Sequence, residues 1–272
     1  MPPQTDTLLH EQHCKESSVA NPALNQKRFE AAASSIANPS TTTMTRASVA
    51  RALSLLVALL FAGAALAWWH YSKLVSFSAT KTTLPAGFNT QILLMSLLAL
   101  GVGFAFILLP RLAPVLAPLY AVLEGAVLGA VSLLYNAVYP GIVLEALGAT
   151  VSVFVVFGAL YFTGIVTVTN KMRAVIMAAT FGVALFYGIC WISSLFTGTN
   201  ILAMGGPLGI GISLVTATVA SFNLFLDFDF IDRQVEANAP VEMSWYAAGG
   251  TVITLAWVYL EMLRLLSKFN RR

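Results

Sequence analysis

The chain has 272 residues, 58% of them hydrophobic and only 10% charged, with a mean hydropathy of +0.79. Soluble domains carry charge on about a quarter of their residues, so this composition excludes a water-soluble globular protein and requires a membrane-embedded one. The formal net charge is +3, and the basic residues lie between apolar segments rather than in one patch, which argues against nucleic acid as a partner.

Residues 1–47 are polar, rich in Ser, Thr, Asn and Ala, and carry both signs of charge, which predicts a disordered tail ahead of a single membrane domain over 48–272. Asp6, Glu11, Glu16 and Glu30 are foreign to a transit peptide, and the apolar stretch of a secretory signal is missing from the start of the tail. The HEQHC segment at 10–14 is no zinc motif, because His10 and His13 are three apart where the helical zinc pair needs four. Cys14 in the tail and Cys190 in an apolar run do not make a disulfide pair.

Apolar runs of membrane-crossing length then repeat, at 52–69, 89–109, 114–136, 142–168, 174–196, 201–226 and 244–266. Without water to satisfy open backbone these runs must be helices, so the chain predicts an all-α bundle of seven transmembrane helices. The breaks agree: Pro110 and Pro114 flank Arg111, Asn136 and Pro140 mark a reversal, and Asn170 precedes Lys171 and Arg173. Gly198 and Asn200 mark the next, and Ala239 with Pro240 the last. With the N-terminus cytoplasmic, the internal loops hold Arg111, Lys171, Arg173 and Arg233 against Lys73 and Lys81 in the external ones, and the tail adds Arg46 and Arg51 inside; Arg264, Lys268, Arg271 and Arg272 at the C-terminal end count against this orientation. Glycines at 101, 103, 125, 129, 205, 206, 209, 211, 249 and 250 suit close helix packing.

Ionisable residues inside the spans are Glu124, Glu145, Glu261 and Arg264, and each is costly at membrane depth unless it faces a partner or water. Glu124 is the deepest; it reads either as a station on a polar path or as a protonated acid hydrogen-bonded to a neighbouring helix. Glu261 and Arg264, three apart on one helix face, can neutralise each other near the outer surface. The stretch DFDFID at 227–232 brings three aspartates directly after an uncharged run. Asp227 and Asp229 lie about 200° apart on a helix, so only one can face the bundle interior. Reading back from Asp227 gives Asn223, Ala220, Thr216 and Ser213, a small and polar stripe, whereas Asp229 shares the face of Leu226, Phe225, Phe222 and Thr218. Asp227 is therefore the inward residue, and Asp229 pairs locally with Arg233 four residues on. Arg111, held between prolines on the same membrane side, reads as a latch for Asp227 or as an ordinary basic anchor. Nucleophile elbow, phosphate loop and CxxC motif are all missing, and the sequence gives no case for an enzyme or a bound cofactor.

Four elements carry a resemblance: NPALNQKRF at 21–29, LEGAVLG at 123–129, DFDFIDRQVEANAPVEMSWYAAGG at 227–250 and LAWVYLEMLRLLS at 255–267. Together with the seven spans they resemble the bacterial Bax inhibitor-1-like family of the transmembrane Bax inhibitor motif superfamily, which includes YccA. The resemblance implies a central seventh helix wrapped by six others, in a bacterial inner membrane. It implies a pH-sensitive calcium leak governed by two carboxylates and an arginine, with calcium and other cations passing through without a resident metal. Asp227 matches the first carboxylate and Arg111 the arginine. The second carboxylate does not carry over, because Thr251 and Thr254 stand where it would be and Glu261 is the next acid. Glu124 and Glu261 would then be further stations on an ion path. A rival reading is a non-conducting regulator that binds a membrane protease or another membrane assembly through small residues such as Gly205 to Gly211.

Overall fold

The computed structural model describes residues 42–74, 76–77, 82–83, 87–197 and 205–270. The expectations for the tail up to residue 41, including the two histidines, and for the Gly198–Asn200 turn lie outside the described residues. Among the described residues, seven helices are long and apolar enough to cross a membrane. They are α1 (Arg46–Ser72), α2 (Phe88–Leu108), α3 (Ala113–Val138), α4 (Ile142–Phe162), α5 (Asn170–Thr197), α6 (Gly206–Glu236) and α7 (Ser244–Phe269). Two-residue strands at Ser76–Phe77 and Thr82–Thr83 pair between α1 and α2, and a 3-10 turn precedes both α3 and α7.

Helix ends follow local chemistry that hydropathy does not register. α1 begins at Arg46 instead of 52, because Thr45 and Ser48 form a capping box, with the Thr45 hydroxyl accepting from the Ser48 N–H at 3.0 Å. α4 stops at Phe162 and not at 168: Gly164 adopts a left-handed φ of 75°, and the Val166 N–H donates to the Leu160 carbonyl at 3.0 Å. That reversal satisfies the last carbonyls and ends the helix although the sequence stays apolar. α6 runs ten residues past the expected 226, because Asp229, Asp232 and Arg233 are ion-paired and their turns remain helical.

α7 occupies the centre. It has the largest buried share of any span, 56%, against 17% for α2, α4 and α5. Its neighbours are α1, α3, α4 and α6, while α2 reaches it through Phe106 stacked on Tyr246 at 5.2 Å, and α5 through a polar contact. α1 and α3 form the tightest pair. A Cβ on Gly125 or Gly129 would fall 2.1 Å from the Leu60 carbonyl oxygen or 2.3 Å from that of Ala64, so only glycine permits this approach. In contrast Gly101, Gly205, Gly206 and Gly211 have no side-chain or backbone neighbour within 4 Å of an added Cβ among the described residues.

The chain just before α1 is seated on the turn that enters α7. The Met44 N–H donates to the Ala239 carbonyl at 2.7 Å, and Thr43 bridges Pro240. The Met44 side chain is fully buried in the cluster containing Met243 and Phe230. Asn238 makes the turn with a φ of 53°, a left-handed conformation that Asn tolerates better than most residues.

Candidate functional site: a polar seam between α6 and α7

Most of the buried polar side chains among the described residues lie on α6 and α7. On α6 the buried polar residues are Ser213, Thr216, Ser221, Asn223, Asp227 and Gln234, and on α7 they are Ser244, Thr251, Thr254, Glu261, Ser267 and Lys268. From Gln234 to Ser213 the α6 side of this seam covers about 31 Å at helical rise, the thickness of a hydrocarbon core. Thr251 and Thr254 donate their hydroxyls to the carbonyls of Ala247 and Gly250 on their own helix. Such back-bonded hydroxyls still present oxygen lone pairs to the seam.

At one end of the seam Asp227 is completely buried, as the stripe behind it requires. Asp229, two residues on, turns away from the seam, and its Oδ2 accepts from Arg173 at 2.8 Å and from Arg233 at 3.0 Å. The local pair with Arg233 is the expected one, and Arg173 is an addition from α5. Asp232 receives a two-pronged bond from Arg46 at 2.6 and 2.9 Å. This end therefore gathers the starts of α1 and α5 around the end of α6 by ion pairs.

The other end is built on Glu261, also completely buried. Its Oε1 accepts from the Tyr187 hydroxyl at 2.5 Å, the Trp257 indole N–H at 3.0 Å and the Arg264 guanidinium at 3.0 Å. Its Oε2 accepts from the Thr216 hydroxyl at 2.8 Å. Arg264 also donates to the Tyr187 oxygen at 2.7 Å and lies over the ring of that residue. Four donors from three helices on one carboxylate are what an ionised acid needs when water is excluded. Two helical turns beyond Glu261, the buried Lys268 ammonium donates to the Gly209 carbonyl at 2.9 Å.

The structure brings only some of the candidates together. Arg111 is exposed on the 3-10 turn before α3 and makes no ion pair or hydrogen bond among the described residues, so the latch expected between it and Asp227 is not made. The prolines that frame it hold it at the surface. Glu124 is half-buried at mid-helix near Tyr120 of the same helix, and among the described residues no hydrogen bond or ion pair joins it to a neighbouring helix. Asn223 bonds Thr180 of α5, its amide donating at 2.9 Å. Glu145 is exposed at the start of α4. Among the described residues, no cluster of three or more His, Cys, Asp and Glu side chains is placed to hold a metal ion.

Tyr187 and Thr180 were not singled out by sequence and Arg173 only as a basic loop residue, yet the first two carry polar contacts from α5 to the seam and the third one to Asp229 beside it. They are spaced seven apart, so they form one stripe on one helix face. That spacing is present in the sequence and is the signal that finds them; a tyrosine at depth must also place its hydroxyl on some partner.

No curated protein sequence matches the chain. A family description, Bax inhibitor 1 like, matches residues 21–271, nearly the whole length. With seven spans, a central α7 and a match of this extent, the chain belongs to the Bax inhibitor 1 like family of membrane proteins.

Proposed function

We propose that the protein is a cation leak pathway, passing calcium among other cations along the α6–α7 seam under the control of protonation. The observation that carries this reading is the pair of fully buried carboxylates, Asp227 and Glu261, set near opposite ends of a file of hydroxyl and amide side chains. Hard cations are bound by oxygen, and a path across lipid needs oxygen stations at successive depths. A buried carboxylate is strained toward its neutral form by desolvation and toward its charged form by cations and donors, which makes its charge responsive to pH. Two residues beyond Asp227, Asp229 engages both Arg173 and Arg233. At the Glu261 end Arg264 occupies the position a passing cation would take. In this reading the N-terminus is cytoplasmic, the membrane is a bacterial inner membrane, and the protein catalyses no reaction and needs no cofactor.

Calcium uptake into proteoliposomes, measured between pH 5 and 8, tests the reading. Asp227→Asn should abolish the pH dependence of flux and Glu261→Gln should alter its magnitude. Flux in both variants equal to wild type at every pH would refute the path. A second reading, a non-conducting regulator docking another membrane protein, is favoured by the face of α6 on which Gly211 meets open space beside the exposed Leu208, Leu214 and Val215. It predicts a stoichiometric membrane partner lost on Gly211→Leu, with no flux in any variant.

A further inference from the structure

α1 and α4 both pack on α7 but barely on each other, and the gap between them is a cleft of about 480 Å³. α3 and α7 supply its floor, with Ser132, Tyr259 and Ala256 among the lining residues, and Phe61 of α1 and Val151 of α4 form its rims. Both rim residues are about half exposed, so the cleft opens sideways toward lipid. Its few polar atoms are already used: Ser132 and Tyr259 bond each other at 2.6 Å, Thr150 donates to Ala146 and Ser54 to Ala50. Whatever fills the cleft is therefore hydrocarbon.

Size separates the candidates. A methylene takes up nearly the space of a water, roughly 30 Å³, so the cleft holds about sixteen such groups, the content of one acyl chain and far less than a transmembrane helix. The lining on α1 runs from Leu53 to Trp68, about 22 Å at helical rise, which suits an extended chain. At the Leu53 end the headgroup side is basic. Arg46 is neutralised by Asp232, but Arg51, one turn from Ser54, donates only to the Ala47 carbonyl at 3.4 Å and meets no carboxylate among the described residues. Its side chain is exposed and leans toward the start of the helix, hence toward the membrane surface.

We propose that the α1–α4 cleft is a binding site for one acyl chain of an anionic phospholipid, whose phosphate is held by Arg51. The site is independent of whether the seam conducts. The test titrates delipidated protein in detergent with palmitoyl-oleoyl phosphatidylglycerol and, separately, phosphatidylcholine, and counts bound lipid by native mass spectrometry. Wild type should hold one phosphatidylglycerol at least tenfold more tightly than further copies. Val151→Trp, which fills the cleft from its exposed rim, should lose that site, and Ala65→Trp serves if the first variant misfolds. Leu97→Trp on the exposed face of α2 should keep it, with thermal unfolding compared across all. Arg51→Ala should bind the two lipids equally. The proposal is overturned if Val151→Trp and Ala65→Trp bind as Leu97→Trp does, if Arg51→Ala keeps the preference, or if photocrosslinking from position 151 in membranes captures a stoichiometric polypeptide in place of lipid.

Discussion

Replacing Glu261 by leucine tests whether this carboxylate is held as a charge. The substitution leaves three neutral donors, on Tyr187, Trp257 and Thr216, and the Arg264 cation without their acceptor. Removing one member of a buried pair costs about 3–5 kcal/mol, and because Arg264 is 27% exposed, water relieves part of this, leaving roughly 2–4 kcal/mol. For a chain of this size that corresponds to a fall in Tm of about 4–16 °C, read by intrinsic fluorescence in detergent. Glu261→Gln keeps an oxygen facing the donors and loses only the charge assistance, about 1–2 kcal/mol. Pairing Glu261→Leu with Arg264→Leu removes the stranded cation and should recover at least half of the loss. If leucine costs no more than glutamine, or if the double variant is as unstable as the sum of its parts, the carboxylate is not the charged hub described above.

Two further outcomes follow from the packing and from the other end of the seam. Gly129→Ala places a methyl 2.3 Å from a backbone oxygen of α1, so the helices must separate, and a loss of about 1–3 kcal/mol is expected in the same unfolding assay, against almost none for Gly101→Ala in open space. Asp229→Asn should destabilise more than Asp232→Asn, because Asp229 holds the buried Arg173 whereas Asp232 holds an arginine that is 64% exposed; only the Asp232 effect, below about 1 kcal/mol, should fade in high salt.

Helix number, order and the inward face of α6 were legible in the sequence, since twenty apolar residues have one stable backbone form in lipid and a polar stripe has one tolerable direction. The stripe behind Asp227 was enough to turn it inward and Asp229 outward. The end of α4 was not legible from hydropathy, because Gly164 stops the helix inside an apolar run. Nor were the partners of Glu261: only Trp257 and Arg264 lie within a turn of it, whereas Thr216 and Tyr187 are 45 and 74 positions away and meet it only through the docking of three helices. Arg111 illustrates the opposite error. Being on the correct membrane side is a weak constraint, and an arginine in a proline-framed surface turn has solvent to satisfy it without crossing to α6.

The placement of α5 ties the two ends of the seam together. Lipid tails are as apolar as leucine, so an apolar helix gains little by leaving them for a protein surface, and association rests on fit and polar bonds. α5 has large apolar residues such as Phe181, Leu185 and Ile189 turned outward, and its packing is chiefly on α6. What fixes it is the stripe of Arg173, Thr180 and Tyr187, which meets Asp229, Asn223 and Glu261 in turn. Two of those three partners are carboxylates, whose bonds to a guanidinium and a phenol are stronger than those between neutral groups. Tyr187, bonded at once to Glu261 and Arg264, joins α5 to α7, so the docking of α5 and the polar bonds at the Glu261 end of the seam depend on each other.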